Sequence, residues 1–407
     1  MDELAAEAGK VGEIPVIGDV LTLNAGSSSL KFALYDDTGD QPIAKGMVDR
    51  IGANQATMTL QDAAGHDLPV ANIPLVDHGQ AIRAVLDSLR AAFPDNKLGA
   101  IGHRVVHGGI EFDRPTLVDQ DVLTRLEALA PFAPLHQPHN LAGIRAATAA
   151  YPGVPQIACF DTAFHRSHPW VNDTFALPRE YYDRGVRRYG FHGISYDYIT
   201  SELQARAPLI AAGRVVVAHL GNGASMCAIQ HGRSVASTMG FSALDGLPMG
   251  TRPGQLDPGV LIYLMEQEGM DADAISDMLY RRSGLLGLSG GLSNDMRTLE
   301  ASDAPEARET IDYFVFRIQR ELGAMAASMG GIDALVFCGG IGENSRLIRS
   351  RICERTEWMG IEIDHARNAE NATIISSDLS RAKVMVIPTN EGLVIARAAR
   401  AHLRENV

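Results

Sequence analysis

The sequence predicts an α/β protein assembled from two related halves. Strand-like segments, in which apolar residues alternate, are followed by segments whose apolar residues recur with the spacing of an amphipathic helix. One strand–turn–strand unit occurs at Val20–Asp36 and a second at Val215–Gly232. Two such units about half a chain apart indicate an internal duplication of an α/β domain, which a chain of 407 residues is long enough to contain.

The turn of the first unit is a run of small polar residues. Residues 24–29 read Asn-Ala-Gly-Ser-Ser-Ser, and Lys31 follows closely. A hairpin turn explains this composition on its own, because Asn, Gly and Ser are common turn formers. The amide, the three hydroxyls and the lysine also suit a cradle for phosphate, and both interpretations stand at this point.

The rest of the chain continues the alternation of strands and helices, which indicates an α/β architecture. In chain order the further predicted elements are a helix around 82–89, a strand at 100–106, a helix at 311–325, a strand at 334–338, a glycine-rich loop at 339–344, a basic helix from about 345, a strand at 383–387 and a helix at 393–403. The glycines after the strand at 334–338 would let the backbone approach an anion, although a tight strand-to-helix turn explains them equally well.

Composition limits the partners and the compartment. The formal charge of −13 argues against nucleic acid or an anionic membrane as the main partner. Four cysteines without a C-x-x-C pair suit a reducing, cytoplasmic setting, and no apolar run approaches the roughly 18 residues that span a membrane. Residues 1–18 lack the basic and apolar regions of a signal peptide and are expected to form a loosely ordered extension.

Motifs of other enzyme classes are absent or stand in the wrong context. The P-loop pattern G-x-x-x-x-G-K-[ST] and the zinc pattern H-E-x-x-H do not occur. One G-x-S-x-G occurs at 287–291, but loop-forming residues follow it where a nucleophile elbow needs a helix. His103 and His107 share a strand face about 13 Å apart, which is too far for one metal ion.

Two arginines lie in segments where a guanidinium is unexpected. Arg104 lies among apolar strand residues, and Arg252 lies in the Gly/Pro-rich loop 249–254. A structural salt bridge is the alternative for Arg104, and surface solvation is the alternative for Arg252. Two arginines from different halves would suit a clamp for a phosphoryl group that moves between two acceptors.

Two acids and one histidine complete the candidate set. Asp161 follows a predicted strand and Glu391 opens a predicted helix, so either could hold Mg²⁺, although each also has a structural explanation. His192 lies between glycines in the segment 189–193, which suits an exposed imidazole, whereas a satisfied buried histidine is the alternative. In a chain without a P-loop, these parts point together to phosphate chemistry.

Nine short segments follow one another in an order that carries a resemblance. They are NAGSSSLKF (24–32), GHRVVHGG (102–109), FDTAFH (160–165), RRYGFHG (187–193), HLGNGAS (219–225), MGTRPG (249–254), SNDMR (293–297), GGIGENS (339–345) and PTNEG (388–392). From about Val20 to the C-terminus, the chain resembles the acetate kinase family with its propionate and butyrate relatives, in the sugar kinase/Hsp70/actin superfamily.

The resemblance implies a fold and an activity. The fold would be two duplicated ribonuclease H-like (actin/Hsp70-type) domains with an interdomain active-site cleft. The first domain would comprise 19–163 joined by the C-terminal helix at about 390–407, and the second would comprise 164–389, with nucleotide binding and a homodimer interface. The activity would be reversible, direct in-line transfer of the γ-phosphoryl group of ATP to acetate with Mg²⁺ or Mn²⁺, giving acetyl phosphate and ADP.

The resemblance also implies site residues. The implied catalytic residues are Arg104, Asp161, His192 and Arg252, and the implied metal-binding residues are Asn24 and Glu391. Arg104, Val106, Leu135, Phe191 and Ala243 would bind the acyl substrate. The implied nucleotide- and phosphate-binding residues are Asn24, Ser27, Ser29, Lys31, His219, Leu220, Gly221, Asn222, Gly223, Asp295, Met296, Arg297, Gly340, Ile341, Gly342 and Asn344.

The sequence departs from the family pattern near the acyl pocket and after His192. Ala243 stands where the family usually has proline, so a pocket that admits propionate is one alternative. Ile194, Ser195 and Tyr196 stand where Thr-Ser-His usually follows. A nucleotide-switched interaction protein on the same scaffold is a second alternative, which the two arginines and His192 argue against. A sugar kinase is a third, which the apolar acyl-pocket residues argue against.

Overall fold

The computed structural model describes residues 18–26, 29–53 and 55–405 of the chain. The predicted N-terminal extension, apart from Gly18, lies outside the described residues, and so does Ser27.

The described residues form twelve β-strands and sixteen α-helices. The strands are β1 (Asp19–Ala25), β2 (Ser29–Tyr35), β3 (Pro42–Asp49), β4 (Thr57–Asp62), β5 (Leu98–Val105), β6 (Thr116–Leu117), β7 (Gln156–Phe160), β8 (Arg214–Leu220), β9 (Ala224–Gln230), β10 (Arg233–Ser237), β11 (Ala334–Cys338) and β12 (Lys383–Val386). The helices are α1 (His78–Ala92), α2 (Gln120–Glu127), α3 (Gln137–Ala150), α4 (Trp170–Asp173), α5 (Arg179–Asp183), α6 (Gly193–Arg206), α7 (Pro208–Ala211), α8 (Pro258–Glu266), α9 (Ala272–Arg281), α10 (Gly284–Leu288), α11 (Met296–Glu300), α12 (Pro305–Met329), α13 (Gly339–Asn344), α14 (Arg346–Cys353), α15 (His365–Ala369) and α16 (Glu391–Glu405).

Two β-sheets with the same core topology confirm the predicted duplication. The first sheet has the order β4-β3-β2-β1-β5-β7-β6, and the second has the order β10-β9-β8-β11-β12. In the first sheet β1 is antiparallel to β2 and parallel to β5, which is parallel to β7. In the second sheet β8 is antiparallel to β9 and parallel to β11, which is parallel to β12. The five-strand cores therefore agree in order and in direction.

Both predicted hairpins form, with tighter turns than predicted. In the first, Asn24 pairs with Lys31 across β1 and β2, so residues 24, 25 and 29 belong to strands rather than to the turn. In the second, His219 pairs with Ser225 across β8 and β9. The strand pairing continues to the residues beside each tip because both hairpins pack apolar residues on a sheet face.

Two helices connect the halves. Helix α6 lies between the two sheets, because Tyr196 and Leu203 join the core formed by β8, β9 and β11, whereas Ile194 joins the core of the first sheet. Helix α16 follows the second sheet but packs on the first, where Leu393 and Ile395 join the core of β1, β5 and β7. The two helices also contact each other. This arrangement agrees with the expected association of the C-terminal helix with the first half, while the domain boundaries themselves stay a prediction.

Local signals set several helix ends. Asp77 caps α1, because its carboxylate accepts from the backbone N–H of Gln80 at 2.7 Å. Gly330 ends α12 with a φ of 72°, in the left-handed region that glycine favours. Along α12, the apolar residues form a stripe, which includes Phe314 and Ile318 and packs on the second sheet.

Two sequence predictions about loops have different outcomes. The segment 339–344 was predicted to be a loop, but it forms helix α13, which begins directly after β11. The G-x-S-x-G segment at 287–291 begins in the last residues of helix α10 and does not follow a strand, which confirms that it is no nucleophile elbow. Among the described helices, none combines the length and the apolar composition needed to cross a membrane.

Candidate active site

Three strands of the first sheet present polar side chains at the same edge. β1, β5 and β7 are adjacent and parallel, so their carboxyl ends meet. Asn24 and Arg104 lie at the ends of β1 and β5, and Asp161 directly follows β7. Strand pairing therefore brings together three residues that are far apart in the sequence.

Arg104 is the centre of a hydrogen-bonded network at this edge. Its Nε and Nη2 donate to the two carboxylate oxygens of Asp161 at 2.9 and 2.6 Å. Its Nη1 donates to Oδ1 of Asn24 at 3.2 Å, and Nδ2 of Asn24 donates to Oε2 of Glu391 at 3.2 Å. Glu391 opens α16, so the packing of this helix connects the end of the chain to the first sheet.

The contact between Arg104 and Asp161 is a buried ion pair. Only 2% of the Asp161 side chain is exposed. Burial raises the pKa of the Asp161 carboxyl, while the guanidinium acts in the opposite direction. Burial also disfavours the charged guanidinium, but the carboxylates of Asp161 and Glu391 raise the pKa of Arg104 above its ordinary value. Two short parallel hydrogen bonds favour the ionised pair, so Arg104 does form a salt bridge, and its role in binding a substrate stays a prediction.

Arg252 is a buried cation without an acidic partner. Its Nη1 donates to the carbonyl of Ala243 at 2.8 Å, and no carboxylate of the described residues lies within 4.0 Å of its guanidinium. Burial lowers the pKa of Arg252 to about 10, and the positive charge of Arg104 adds to the decrease. Arg252 is therefore largely withdrawn from solvent, which disfavours the alternative of surface solvation. A guanidinium held in this way without a counter-ion suits an anion, so anion binding by Arg252 stays a prediction.

The loop of Arg252 lies against the tip of the second hairpin, residues 221–223, which we call the phosphate loop. The backbone N–H of Gly250 donates to the carbonyl of Asn222 at 3.0 Å. A Cβ added to Gly223 would lie 3.0 Å from Nη2 of Arg252 and 3.1 Å from Nε2 of His192. The absent side chain of Gly223 thus leaves space where the guanidinium, the imidazole and the phosphate loop meet.

His192 and His219 are stacked imidazoles beside this space. Their ring centroids are 4.3 Å apart with an interplanar angle of 22°. His192 precedes α6 with a φ of 56°, and its Nδ1 lies 2.8 Å from Oγ of Ser225. Burial lowers the pKa of His192 well below its usual range, and His219 and both arginines act in the same direction. A buried histidine with all its hydrogen bonds made was the alternative for His192, and it holds for Nδ1 only. Nε2 has no hydrogen-bond partner within the described residues.

A cavity of about 700 Å³ opens beside the phosphate loop. Its lining includes eight predicted nucleotide-binding residues: Gly221, Asn222, Asp295, Met296, Arg297, Gly340, Ile341 and Asn344. A Cβ added to Gly340 would meet nothing within 4 Å, so this helical glycine faces open space. The cavity is large enough for a drug-sized ligand and has mixed polar and apolar walls.

The predicted acyl-pocket residues cluster near the arginines. Val106 and Phe191 belong to one buried cluster, and Ala243 packs against it. Leu135 is half-buried and precedes His136, a residue that sequence reasoning missed. Burial lowers the pKa of His136 to about 4, and the charges of Arg252 and Arg104 act in the same direction. A neutral imidazole therefore borders both guanidinium groups.

Some predicted residues have no polar contact in the cleft. Leu220 is fully buried in the core of the second half, and Gly342 is buried within α13. Lys31 is exposed on β2, where its charge contributes to lowering the pKa of His219. Ser29 begins β2 and is half-buried.

Other functional candidates were missed by the sequence interpretation. Asn294, Glu300 and Ser345 line the large cavity, and Oγ of Ser345 donates to Glu300 at 2.5 Å. Asn294 and Ser345 lie inside two of the quoted segments, so position within a motif was an available signal. Glu300 had no such signal, because only folding of α11 brings it to the cavity.

Comparison with known proteins identifies the family. The acetokinase family profile matches residues 19–397. The chain belongs to the acetokinase family. Acetate kinase of Methylocella silvestris is 58% identical over 396 residues, which cover 94% of this chain and 98% of that protein. Acetate kinase of Thermotoga maritima is 41% identical, covering 93% of this chain and 97% of that protein.

Solved structures of this family share the fold of nearly the whole chain. The propionate kinase of Francisella tularensis superposes with a TM-score of 0.89 at 36% identity, covering 94% of this chain and 99% of that one. The acetate kinase of Porphyromonas gingivalis superposes with a TM-score of 0.86 at 36% identity, covering 95% and 100%. The fold is thus the two-domain α/β fold that the family resemblance implied.

The acetokinase family implies a divalent metal, and the residues of the cleft suit one. Glu391 offers a carboxylate and Asn24 an amide oxygen, and the two side chains are in contact. Within the described part of the chain, no three His, Cys, Asp or Glu side chains form a group that could hold a metal. A sparse set of oxygen ligands is the set expected for an ion that nucleotide phosphates and water also coordinate.

Proposed function

We propose that this protein is an acetate kinase, which transfers the γ-phosphoryl group of ATP to acetate to give acetyl phosphate and ADP. The observation that carries the proposal is the position of Arg252. This acetokinase-family chain buries a guanidinium without an acidic partner beside the phosphate loop and Nε2 of His192. An anion held there would lie between the nucleotide cavity and the ion pair at the edge of the first sheet.

The two arginines have different roles in this mechanism. A guanidinium carries about five N–H donors, and Arg104 uses three of them on Asp161 and Asn24. Its orientation is therefore fixed, and the remaining donors are available for the carboxylate of acetate. Arg252 uses one donor on the carbonyl of Ala243 and keeps the others for the moving phosphoryl group. The two charges together would offset the negative charge of the transition state.

Transfer requires no strong general base, because a carboxylate is already a nucleophile. The two histidines near the arginines are poor bases, since burial and nearby positive charge lower the pKa of His136 to about 4 and that of His192 well below its usual range. These imidazoles are neutral at pH 7 and serve as hydrogen-bonding groups. Alignment of the reactants and charge stabilisation then account for catalysis, with direct in-line transfer of the phosphoryl group.

The proposed metal is Mg²⁺, for which Mn²⁺ could substitute, held by Glu391 and Asn24. When bound, such an ion neutralises charge on the β- and γ-phosphates. The chain of hydrogen bonds from Glu391 through Asn24 to Arg104 orients the protein side of this site.

Propionate is the second candidate substrate, and Ala243 favours it. This residue packs against the cluster that contains Val106 and Phe191, and it is smaller than the proline that the family usually has there. The similar protein from Francisella tularensis is named a propionate kinase. A change of one methylene in such a pocket shifts preference by about 1–3 kcal/mol, so the acyl preference depends on this wall.

A homodimer through the second half is part of the proposal. Helix α8 has no buried residue, and Val260, Ile262, Tyr263 and Met265 are 40–53% exposed. An apolar helix left open in this way is typical of a surface that another copy covers. A cytoplasmic location is proposed because the four cysteines of the chain are free and buried.

The proposal is tested by trapping the product. Enzyme, MgATP and a carboxylate are incubated with hydroxylamine, and the hydroxamate formed from the acyl phosphate is measured for acetate, propionate and butyrate. We expect hydroxamate formation with acetate or propionate and much lower kcat/KM with butyrate. ADP release that does not depend on any carboxylate would overturn the assignment.

A further inference from the structure

The hydroxyl of Ser225 lies between two side chains of one helix terminus. Its Oγ is 2.8 Å from Nδ1 of His192 and 2.5 Å from the hydroxyl of Tyr196. His192 precedes α6 and Tyr196 lies in its first turn, so both side chains point to the same side of the helix. Ser225 and Tyr196 are fully buried. Two hydrogen bonds therefore join Tyr196, Ser225 and His192 in a linear chain, which reaches the imidazole at Nδ1, while Nε2 faces Gly223.

Donor and acceptor counting gives this chain one direction. Within the described residues, the hydroxyl of Tyr196 has no hydrogen-bond partner other than Ser225, so its proton goes to Oγ of Ser225. The single proton of Ser225 then goes to its remaining partner, Nδ1 of His192. Since Nδ1 accepts this bond, a neutral His192 carries its proton on Nε2.

We propose that Tyr196 and Ser225 are positioning residues, which hold His192 as the neutral tautomer that is protonated on Nε2. The consequence for catalysis rests on the proposed function: Nε2–H is a fixed donor aimed at the transferred phosphoryl group. The direction of the bonds is a property of the folded chain and does not depend on which carboxylate is phosphorylated.

The surroundings support both parts of this inference. Burial raises the pKa of Tyr196 well above its usual range, so its hydroxyl stays protonated and donates. Burial and nearby positive charge lower the pKa of His192, so the ring stays neutral. Nε2 faces the space beside Gly223, where Nη2 of Arg252 also points. A donor there meets an anion, whereas an unprotonated Nε2 would turn its lone pair toward the phosphoryl oxygens.

Tyr196 departs from the usual family pattern. Tyr196 stands where the family pattern usually has histidine, and a histidine can either donate or accept at that point. A buried phenol donates to Ser225 and so removes that ambiguity. Tyr196 belongs to α6, while Ser225 belongs to β9, and the chain of hydrogen bonds fixes the imidazole between these two elements.

The first test reads the tautomer directly, without activity. Long-range ¹⁵N–¹H NMR of protein labelled at histidine nitrogens distinguishes a protonated Nε2 from a protonated Nδ1, and a His192→Ala variant assigns the signals. The wild type is expected to show one neutral form protonated on Nε2. Tyr196→Phe and Ser225→Ala are expected to shift His192 to a mixture of tautomers. A ring protonated on Nδ1 in the wild type would overturn the proposal.

The second test separates positioning from folding. Tyr196→Phe is expected to lower kcat about tenfold with the KM for acetate changed less than about twofold, because a lost hydrogen bond acts through the imidazole on the transition state. The matched control is Tyr198→Phe on the same helix, whose hydroxyl has no hydrogen-bond partner within the described residues, and it should keep wild-type kcat. Ser225→Thr, which retains the hydroxyl, should recover the Nε2-protonated signal that Ser225→Ala loses.

The outcomes distinguish this inference from the proposed function. A Tyr196→Phe variant with wild-type kcat and an unchanged tautomer signal would overturn the positioning role and leave the kinase assignment intact. A wild-type ring protonated on Nε2, in a protein that forms no acyl phosphate, would keep the tautomer assignment and overturn the proposed function.

Discussion

Replacement of each cleft arginine by methionine should have opposite effects on stability, although both variants should lose most activity. Arg252 is buried without an acid, and burial lowers its pKa from 12.5 in the unfolded chain to about 10. Because the folded pKa is the lower one, the cation is present in both states at pH 7, and its burial opposes folding by about 3 kcal/mol. This cost disappears only as the pH rises above the folded pKa.

Arg252→Met removes that cost and loses one hydrogen bond. The carbonyl of Ala243 would lose its donor, which costs about 1 kcal/mol. The nucleotide-free variant should therefore be about 2 kcal/mol more stable than the wild type. Arg104→Met should instead leave the carboxylate of Asp161, 2% exposed, without a counter-ion, and should destabilise by about 3–5 kcal/mol.

Urea denaturation of nucleotide-free enzyme at pH 7 measures these differences, and kcat/KM is measured on the same preparations. Both variants should lose on the order of 10² to 10⁴ in kcat/KM. Arg281→Met is the control, because its side chain is 69% exposed in a helical pair with Asp277, and it should change stability by less than about 0.5 kcal/mol. Equal destabilisation of the Arg104 and Arg252 variants would refute the assignment of Arg252 as an unpaired anion site.

Three further predictions concern the buried histidines, the cavity beside Gly340 and the metal ligand Glu391. Burial lowers the pKa values of His103 and His165 to about 4, below the value of 6.5 in the unfolded chain. Between pH 6.5 and 4 the unfolded chain therefore binds more protons than the folded chain, so stability falls as the pH decreases. Unfolding free energy, measured by urea titration, should fall by at least about 3 kcal/mol between pH 6.5 and 5, because these two groups alone contribute that much and the lowered pKa values of other buried histidines, such as His136 and His219, add to it. A flat profile would contradict this prediction. Gly340→Leu should raise the KM for ATP at least about tenfold, because the new side chain fills the cavity. Stability and the KM for acetate should not change, since a Cβ at this position meets no atom within 4 Å. An unchanged KM for ATP would place the nucleotide elsewhere. Glu391→Gln should raise the Mg²⁺ concentration for half-maximal rate about tenfold, and an unchanged Mg²⁺ titration would remove Glu391 from the metal site.

Much of the fold could be predicted from the sequence because its signals are local. Alternating apolar residues predicted both hairpins, and the 3.6-residue spacing predicted α1, α12 and α16. The turns were predicted too long, since strand pairing extends to Asn24 and Ser225. The segment 339–344 was predicted as a loop because glycine disfavours helix, but its position after β11 overrides that preference.

The site could be predicted only in part, because several of its properties arise from tertiary structure. The residue types of Arg104 and Arg252 were informative, yet nothing local shows that the first is paired with Asp161 and the second is unpaired. Likewise, Ser225 was read as a turn residue, and its contacts with His192 and Tyr196 depend on where α6 packs. Ion pairing, burial and the packing of α6 and α16 arise from contacts between distant segments, so no single segment of the sequence predicts them.

The central claim is that the phosphoryl group passes directly from nucleotide to carboxylate between the two halves. The stereochemical course at phosphorus tests it, using ATP made chiral at the γ-phosphorus with oxygen isotopes and acetate as acceptor. A single in-line displacement predicts inversion of configuration in the acetyl phosphate formed. Retention of configuration would require an even number of displacements, as with a phosphorylated enzyme side chain, and would contradict the account.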